Sequence, residues 1–165
     1  MQQLGFNYRM TDFQCALGRS QMAKLDAFLS RRREIAALYG ELLADVPGLT
    51  LPAVRDHVDH AWHIYPVRVS DPAEAPAEAG VPAGDARCRR AVFDRLRDRG
   101  ILAQVHYIPV HLHPYYRRRF GTGPGDLPVA EAYYAGALTL PLFPKMTDAD
   151  VERVAGTLRE CLDGV

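Results

Sequence analysis

Six histidines fall into two groups, His57, His60 and His63 and then His106, His111 and His113. The three-residue spacing of the first group is that of a metal-ligand set. A strand, however, sends His60 and His63 to opposite faces, which defeats chelation by neighbours. Structural or surface roles are expected for them, and no metal is expected. The second group is interleaved with Tyr107, Tyr115 and Tyr116 on an irregular segment that follows a strand. Neutral imidazoles and phenols in such a place can hydrogen-bond a polar ligand. A half-buried aromatic patch is the alternative reading of the same residues.

A second candidate lies near the start. Asn7, the single asparagine of the chain, and Arg9 precede a helix whose first residues are Thr11 and Asp12. Amide donors and a guanidinium beside a helix N-terminus make an anion site; a plain capping turn is the alternative. Two arginine runs are also capable of binding anions. Arg31-Arg32-Arg33 sits on a helix with Asp26 and Glu34 nearby, which points to a solvated face. Arg117-Arg118-Arg119 follows the tyrosine pair and is either solvated or placed against a phosphate or an acidic partner.

Other chemistries are excluded by what is missing. No P-loop pattern occurs, and the three serines, Ser20, Ser30 and Ser70, do not sit in a nucleophile elbow. Gly121 to Gly125 lacks the spacing of a dinucleotide loop and reads as a turn. The basic residues are 18 Arg and only two Lys, Lys24 and Lys145, so any reaction that needs a lysine amine has two candidates.

The elements that must position these residues are legible from periodicity. Thr11 and Gln14 form a capping box for a helix starting near Asp12. A bend is expected between about residues 20 and 24, and a second helix ends before Pro47-Gly48. Residues 60–69 alternate as a strand, with Pro66 marking an edge or bulge. Residues 71–84, rich in Pro, Gly and Ala, read as a loop. Asp85 caps a helix to about Arg99 with Cys88, Val92 and Leu96 on one face, and Gly100 stops it. Ile101 to His106 is expected as a strand and 111–119 as a short turn or helix. Asp126 is expected to cap a helix that turns Val129, Ala132, Tyr133, Gly136 and Ala137 inward. A strand over 138–142 and a helix opened by Thr147, with Val151, Val154, Leu158 and Leu162 inward, complete the chain. This order predicts helices packed on a small sheet.

The chain has 165 residues, and its twenty basic and twenty acidic side chains cancel. That length suits one domain or part of a larger one. A neutral chain has no global field to draw in a polyanion, so no nucleic acid is expected as partner. No stretch approaches the roughly 18 apolar residues of a membrane span, and no membrane association is expected. Cys15, Cys88 and Cys161 are odd in number and far apart, which argues against a disulfide framework and for a reducing, cytoplasmic setting.

Gly5-Phe6-Asn7-Tyr8-Arg9-Met10-Thr11-Asp12-Phe13-Gln14-Cys15-Ala16-Leu17-Gly18 resembles the opening motif of the C-terminal portion of the DegT/DnrJ/EryC1/StrS sugar aminotransferases. The likeness returns in His63-Ile64-Tyr65-Pro66-Val67-Arg68, in Val105-His106-Tyr107-Ile108-Pro109-Val110-His111-Leu112 and in Leu140-Pro141-Leu142-Phe143-Pro144. The stretch from His106 to Phe120 looks most like the altrosamine transaminases, which aminate a UDP-linked 4-keto-6-deoxy sugar on the way to pseudaminic acid. His113 stands where that branch often has Gln.

The resemblance implies an α+β fold. It would be the C-terminal small domain of a type I pyridoxal-phosphate-dependent transferase of the aspartate aminotransferase kind, with helices packed on a small, mainly antiparallel sheet. It implies residues 1–46 as a helical segment leading to a large domain and 47–165 as the small domain. Pyridoxal 5'-phosphate would be the cofactor of the full enzyme, a UDP-sugar the substrate and glutamate the amino donor. The family's lysine lies upstream of the Asn-Tyr-Arg motif, and neither Lys24 nor Lys145 matches its motif. The chain alone is therefore expected to be inactive. Asn7 and Arg9 are implied at the cofactor phosphate of a neighbouring subunit, and His106, Tyr107 and His111 at the sugar nucleotide. A homo-oligomer, or a complex with a separate large domain, is expected. A non-catalytic binding or dimerisation module of the same fold is the alternative.

Overall fold

A computed structural model describes residue 6, residues 8–70 and residues 85–163. The first two helices are α1 (Asp12–Met22) and α2 (Leu25–Leu43). Thr11 and Gln14 close the capping box, with the Thr11 N–H donating to the Gln14 side chain at 2.9 Å. The expected bend falls at Ala23-Lys24 between the two helices. No residue of α1 is buried, whereas α2 turns Ile35, Ala36, Tyr39 and Leu43 into the core.

The sheet has three antiparallel strands in the order β1 (Leu49–Thr50), β2 (Tyr65–Val69), β3 (Ala137–Leu140). β3 runs along Tyr65 to Arg68, while β1 reaches only Arg68 and Val69. Pro66 therefore lies past the end of β1, and the strand is locally an edge there, where a residue without an N–H leaves no gap in a ladder. Tyr65, Val67 and Val69 alternate into the core on one face.

Helices cover that face. α3 (Ala86–Asp98) buries Cys88, Val92 and Leu96, and Asp85 caps it by accepting from Arg87 and Cys88 N–H groups. α6 (Asp148–Leu162) buries Val151, Val154, Ala155, Leu158 and Cys161 and packs against both α2 and α3. A 3₁₀ turn at Val110–Leu112, the short α4 (Pro114–Phe120) and α5 (Pro128–Gly136) lie between α3 and β3. This is the small α+β domain with a mainly antiparallel sheet that the sequence led us to expect.

Several local expectations change. α5 does not turn Val129 inward, since that side chain is 58% exposed, and the last strand is Ala137–Leu140 rather than 138–142. Residues 60–64 are not strand: Trp62 takes a positive φ of 49°, and the His60 ring accepts the Trp62 N–H at 3.0 Å. Ile101 to His106 is not a strand either. Its only ladder contact among the described residues is the bridge between Gln104 and Thr139, because Ala103 N–H turns back to Ile101. Asp126 does not cap α5. Its carboxylate accepts from Gly123 N–H at 2.7 Å, and the helix begins instead at Pro128, whose missing N–H suits the first helical position. The expected loop over 71–84 lies outside the described residues.

The last helix gives a direct stability test. Thr147 Oγ1 accepts the Asp150 N–H at 3.2 Å, and the Asp150 carboxylate accepts the Thr147 N–H at 2.8 Å. Replacing Thr147 by alanine opens this box and lowers unfolding free energy by about 1 kcal/mol. Urea denaturation checks it, and an unchanged midpoint would contradict the role assigned to the cap.

Candidate functional site

A cleft of about 660 Å³ opens between the segment after α3 and the start of α5. One wall is His106, Tyr107 and Pro109; the other is the α5 stretch 127–130 with Tyr133 and Tyr134. The lining is largely apolar, with an imidazole and phenols as its polar groups. Such a surface suits a ligand that offers a flat or apolar body and a few hydrogen-bonding groups.

Each wall is held from behind. His106 Nδ1 is hydrogen-bonded to Thr139 Oγ1 of β3 at 2.9 Å, and its ring meets Tyr107 edge-on with centroids 4.6 Å apart. The peptide bond joining the two residues is cis. Tyr107 is 75% exposed and is the most accessible aromatic of the cleft.

His111 has a different environment. It is buried, and its Nε2 lies 2.8 Å from Glu131 Oε1 on α5. Glu131 also accepts both the Gly125 N–H, at 2.9 and 3.0 Å, and the Leu127 N–H, at 3.3 Å. The Gly125 N–H foremost, then His111 and Leu127, holds the Glu131 carboxyl below the usual range for a glutamate. Thr122 Oγ1 donates to the His111 carbonyl at 2.8 Å. One carboxylate thus joins the segment carrying Tyr107 to the helix that forms the opposite wall.

The residues read from the sequence are therefore divided by the structure. His106 and Tyr107 line the cleft, and His111 stands behind it. Arg9 is exposed just ahead of α1, and Asn7 lies outside the described residues. Glu131, Tyr133 and Tyr134 were not singled out for the site. A signal existed for Glu131: an acid in the first turn of a proline-started helix is placed to take orphan N–H groups.

The first histidine group gathers no metal ligands, and among the described residues no three His, Cys, Asp or Glu side chains converge for a metal. Cys15, Cys88 and Cys161 are all free thiols. No helix of the described residues is long and apolar enough to cross a membrane.

The described residues do not by themselves fit a phosphate-bearing coenzyme held through lysine. No Lys or Arg lines the cleft. Lys24 is the N-cap of α2, and Lys145 lies in the turn before α6. Neither is among the residues that line the cleft, so no coenzyme step is assigned to it.

Comparison with known proteins gives a consistent picture. Residues 1–159 match the profile of the DegT/DnrJ/EryC1/StrS aminotransferase family. The spore coat polysaccharide biosynthesis protein SpsC of Bacillus subtilis is 40% identical over 161 residues, which are 97% of this chain and 39% of SpsC. S. venezuelae DesV, solved in complex with a ketimine intermediate, is 32% identical with a TM-score of 0.82, over 99% of this chain and 40% of DesV. PseC of Helicobacter pylori, an aminotransferase involved in the biosynthesis of pseudoaminic acid, is 27% identical with a TM-score of 0.82, over 99% of this chain and 40% of PseC. The chain spans 38–39% of the length of curated relatives that it matches.

Proposed function

The chain belongs to the DegT/DnrJ/EryC1/StrS aminotransferase family, and from that membership we propose that it is the C-terminal portion of a pyridoxal-phosphate-dependent sugar aminotransferase. The lysine that holds the coenzyme belongs to the large domain, in the part of the relatives' length that this chain does not span. Residues 1–46 lead toward that domain, with α2 packed into the core of the small domain that residues 47–165 complete. The full enzyme moves an amino group from a donor such as glutamate to the 4-keto group of a UDP-linked 6-deoxy sugar in the cytoplasm. Similarity to PseC and the His106–Phe120 stretch support the pseudaminic acid branch.

The cleft walled by His106 and Tyr107 carries this reading. Their ring faces and hydrogen-bonding groups face the sugar nucleotide, and His111 keeps the wall in place through Glu131. Asn7 and Arg9 reach the coenzyme phosphate of a neighbouring subunit. The exposed apolar side chains of α1, Phe13 at 81%, Leu17 at 55% and Met22 at 64%, support an arm covered by a large domain or a second subunit.

The test is complementation in trans. With pyridoxal phosphate, the chain alone gives no lysine-dependent visible absorbance and no amino transfer. Adding the upstream large domain restores transfer from glutamate to a UDP-linked 4-keto sugar. Association without restored transfer favours the non-catalytic module. A lysine-dependent band from the chain alone, or turnover by it, overturns the proposal.

A further inference from the structure

Just ahead of β2 stands Trp62, the one non-glycine residue of positive φ among the described residues, at 49°. A bulky side chain in that region is strained and stays there only where its surroundings hold it. Three groups do so. His60 Nδ1 accepts the Trp62 N–H at 3.0 Å. The Arg32 guanidinium of α2 donates to the Trp62 carbonyl at 3.0 Å, to the His63 carbonyl at 3.1 Å and to the Leu142 carbonyl at 3.3 Å. The half-buried Trp62 ring lies against Tyr65 with centroids 5.3 Å apart, and it meets the His60 ring edge-on at 4.5 Å.

These contacts respond differently to protons. A guanidinium and an indole keep their charge through the neutral range, so the contacts of Arg32 and Tyr65 do not titrate there. His60 is exposed, and its contact requires an Nδ1 without a proton. With a proton on it, two donors face each other and the hydrogen bond is lost. An alternative backbone is at hand. Residues 60–69 alternate in sequence as a strand does, and the positive φ at Trp62 keeps 60–64 out of that extended conformation. The charged and titratable groups around the turn are His57, Asp59 and His63 on its own segment, Arg32 and Arg33 on α2, and Tyr65 on β2. Asp59 is paired with Arg33 at 2.6 Å, and Arg32 is spent on carbonyls.

We propose that the His60–Trp62 turn is a proton-operated latch: unprotonated His60 holds Trp62 in the left-handed conformation, and protonation lets residues 60–64 extend, drawing the Trp62 carbonyl off Arg32 and the ring off Tyr65. The latch fastens α2 to the sheet. Arg32 bridges α2 to the entry of β2 and to the segment after β3, and the Tyr65 ring in turn meets Tyr39 of α2 at 5.0 Å. Since α2 continues from the exposed arm α1, the latch governs how firmly that arm is seated on the domain. The competing account is an imidazole that merely lies beside an indole, and the test separates the two. The latch does not rest on the transferase reading, because it requires neither coenzyme nor turnover.

Trp62 is the single tryptophan, so its emission in the full chain, and the quenching of that emission by acrylamide, report the turn directly. From about pH 8 to about pH 5 the emission maximum moves reversibly to longer wavelength and acrylamide quenching rises, while the helical circular dichroism is retained. His60→Ala has no acceptor and shows the released emission at both ends of the range. His60→Asn places a side-chain oxygen where it accepts the N–H two residues on, as in an Asx turn, and shows the latched emission at both ends. H57Q/H63Q keeps the step. If His60→Ala does not fold, His60→Asn decides, since a step that persists there overturns the latch. The latch is equally overturned by a parent chain without the step, by latched emission from His60→Ala, or by loss of the step in H57Q/H63Q. A fall in intensity with no change in wavelength or acrylamide access is quenching by a neighbouring imidazolium and overturns it too.

Discussion

Replacing Leu158 by alanine lowers the unfolding free energy by about 2–5 kcal/mol. Leu158 is fully buried on α6, the helix that packs against both α2 and α3. Truncation removes the transfer free energy of the lost methyl groups and leaves a cavity that two neighbouring helices and a sheet cannot all close. Domains of ordinary size are stable by only about 5–15 kcal/mol, so the loss is a large share of the total. Urea unfolding of the two proteins measures it, with the slope unchanged and the midpoint lowered. Leu102→Ala is the control: Leu102 is 68% exposed, and its loss stays within about 0.5 kcal/mol. Equal costs at the two positions would show that α6 is not the keystone of the core.

Alkaline pH unfolds the protein through two buried phenols. Tyr39 and Tyr65 are 0% and 2% exposed, and their rings lie 5.0 Å apart. Tyr39 donates its hydroxyl to the Pro141 carbonyl at 2.9 Å. Burial pushes Tyr65 up to about 12 from an ordinary value of 10.0, and pushes Tyr39 higher still. The unfolded chain thus releases these protons at lower pH than the folded one. The resulting stability is fully present below pH 10.0 and is lost as pH rises from there through about 12. Each tyrosine contributes a slope of about 1.4 kcal/mol per pH unit within its window. Tyr65→Phe removes one of the two slopes, which urea titrations at several alkaline pH values will read. A Tyr65→Phe protein with the parent's pH dependence would remove Tyr65 from this account.

Much of the helical architecture was legible because its causes are local. Thr11 with Gln14, Asp85 and Thr147 each satisfy N–H groups within their own first turn, so sequence spacing alone reveals them. The inward stripe of Val151, Val154 and Leu158 needs only the helical period. Strands are a different matter. Ile101 to His106 has strand-like composition, but a ladder requires a partner, and β3 offers that segment a single bridge at Thr139. The two residues of β1 carry no period to detect, and they exist because β2 runs past them.

The site divides in the same way. His106 and Tyr107 could be named from residue type, neighbours and family motif, since these announce hydrogen-bonding and aromatic chemistry without any knowledge of place. Glu131 could not be tied to His111, because the two are joined across 20 residues by a turn, α4 and a glycine loop. Nor could the turn at Trp62, which depends on Arg32 of α2 reaching across 30 residues to the Trp62 carbonyl. Residue chemistry, helix ends and apolar faces are properties of a few neighbouring side chains, so the chain alone settles them. Which wall stands behind which cleft is decided by contacts between distant segments, and those arise only when the core closes.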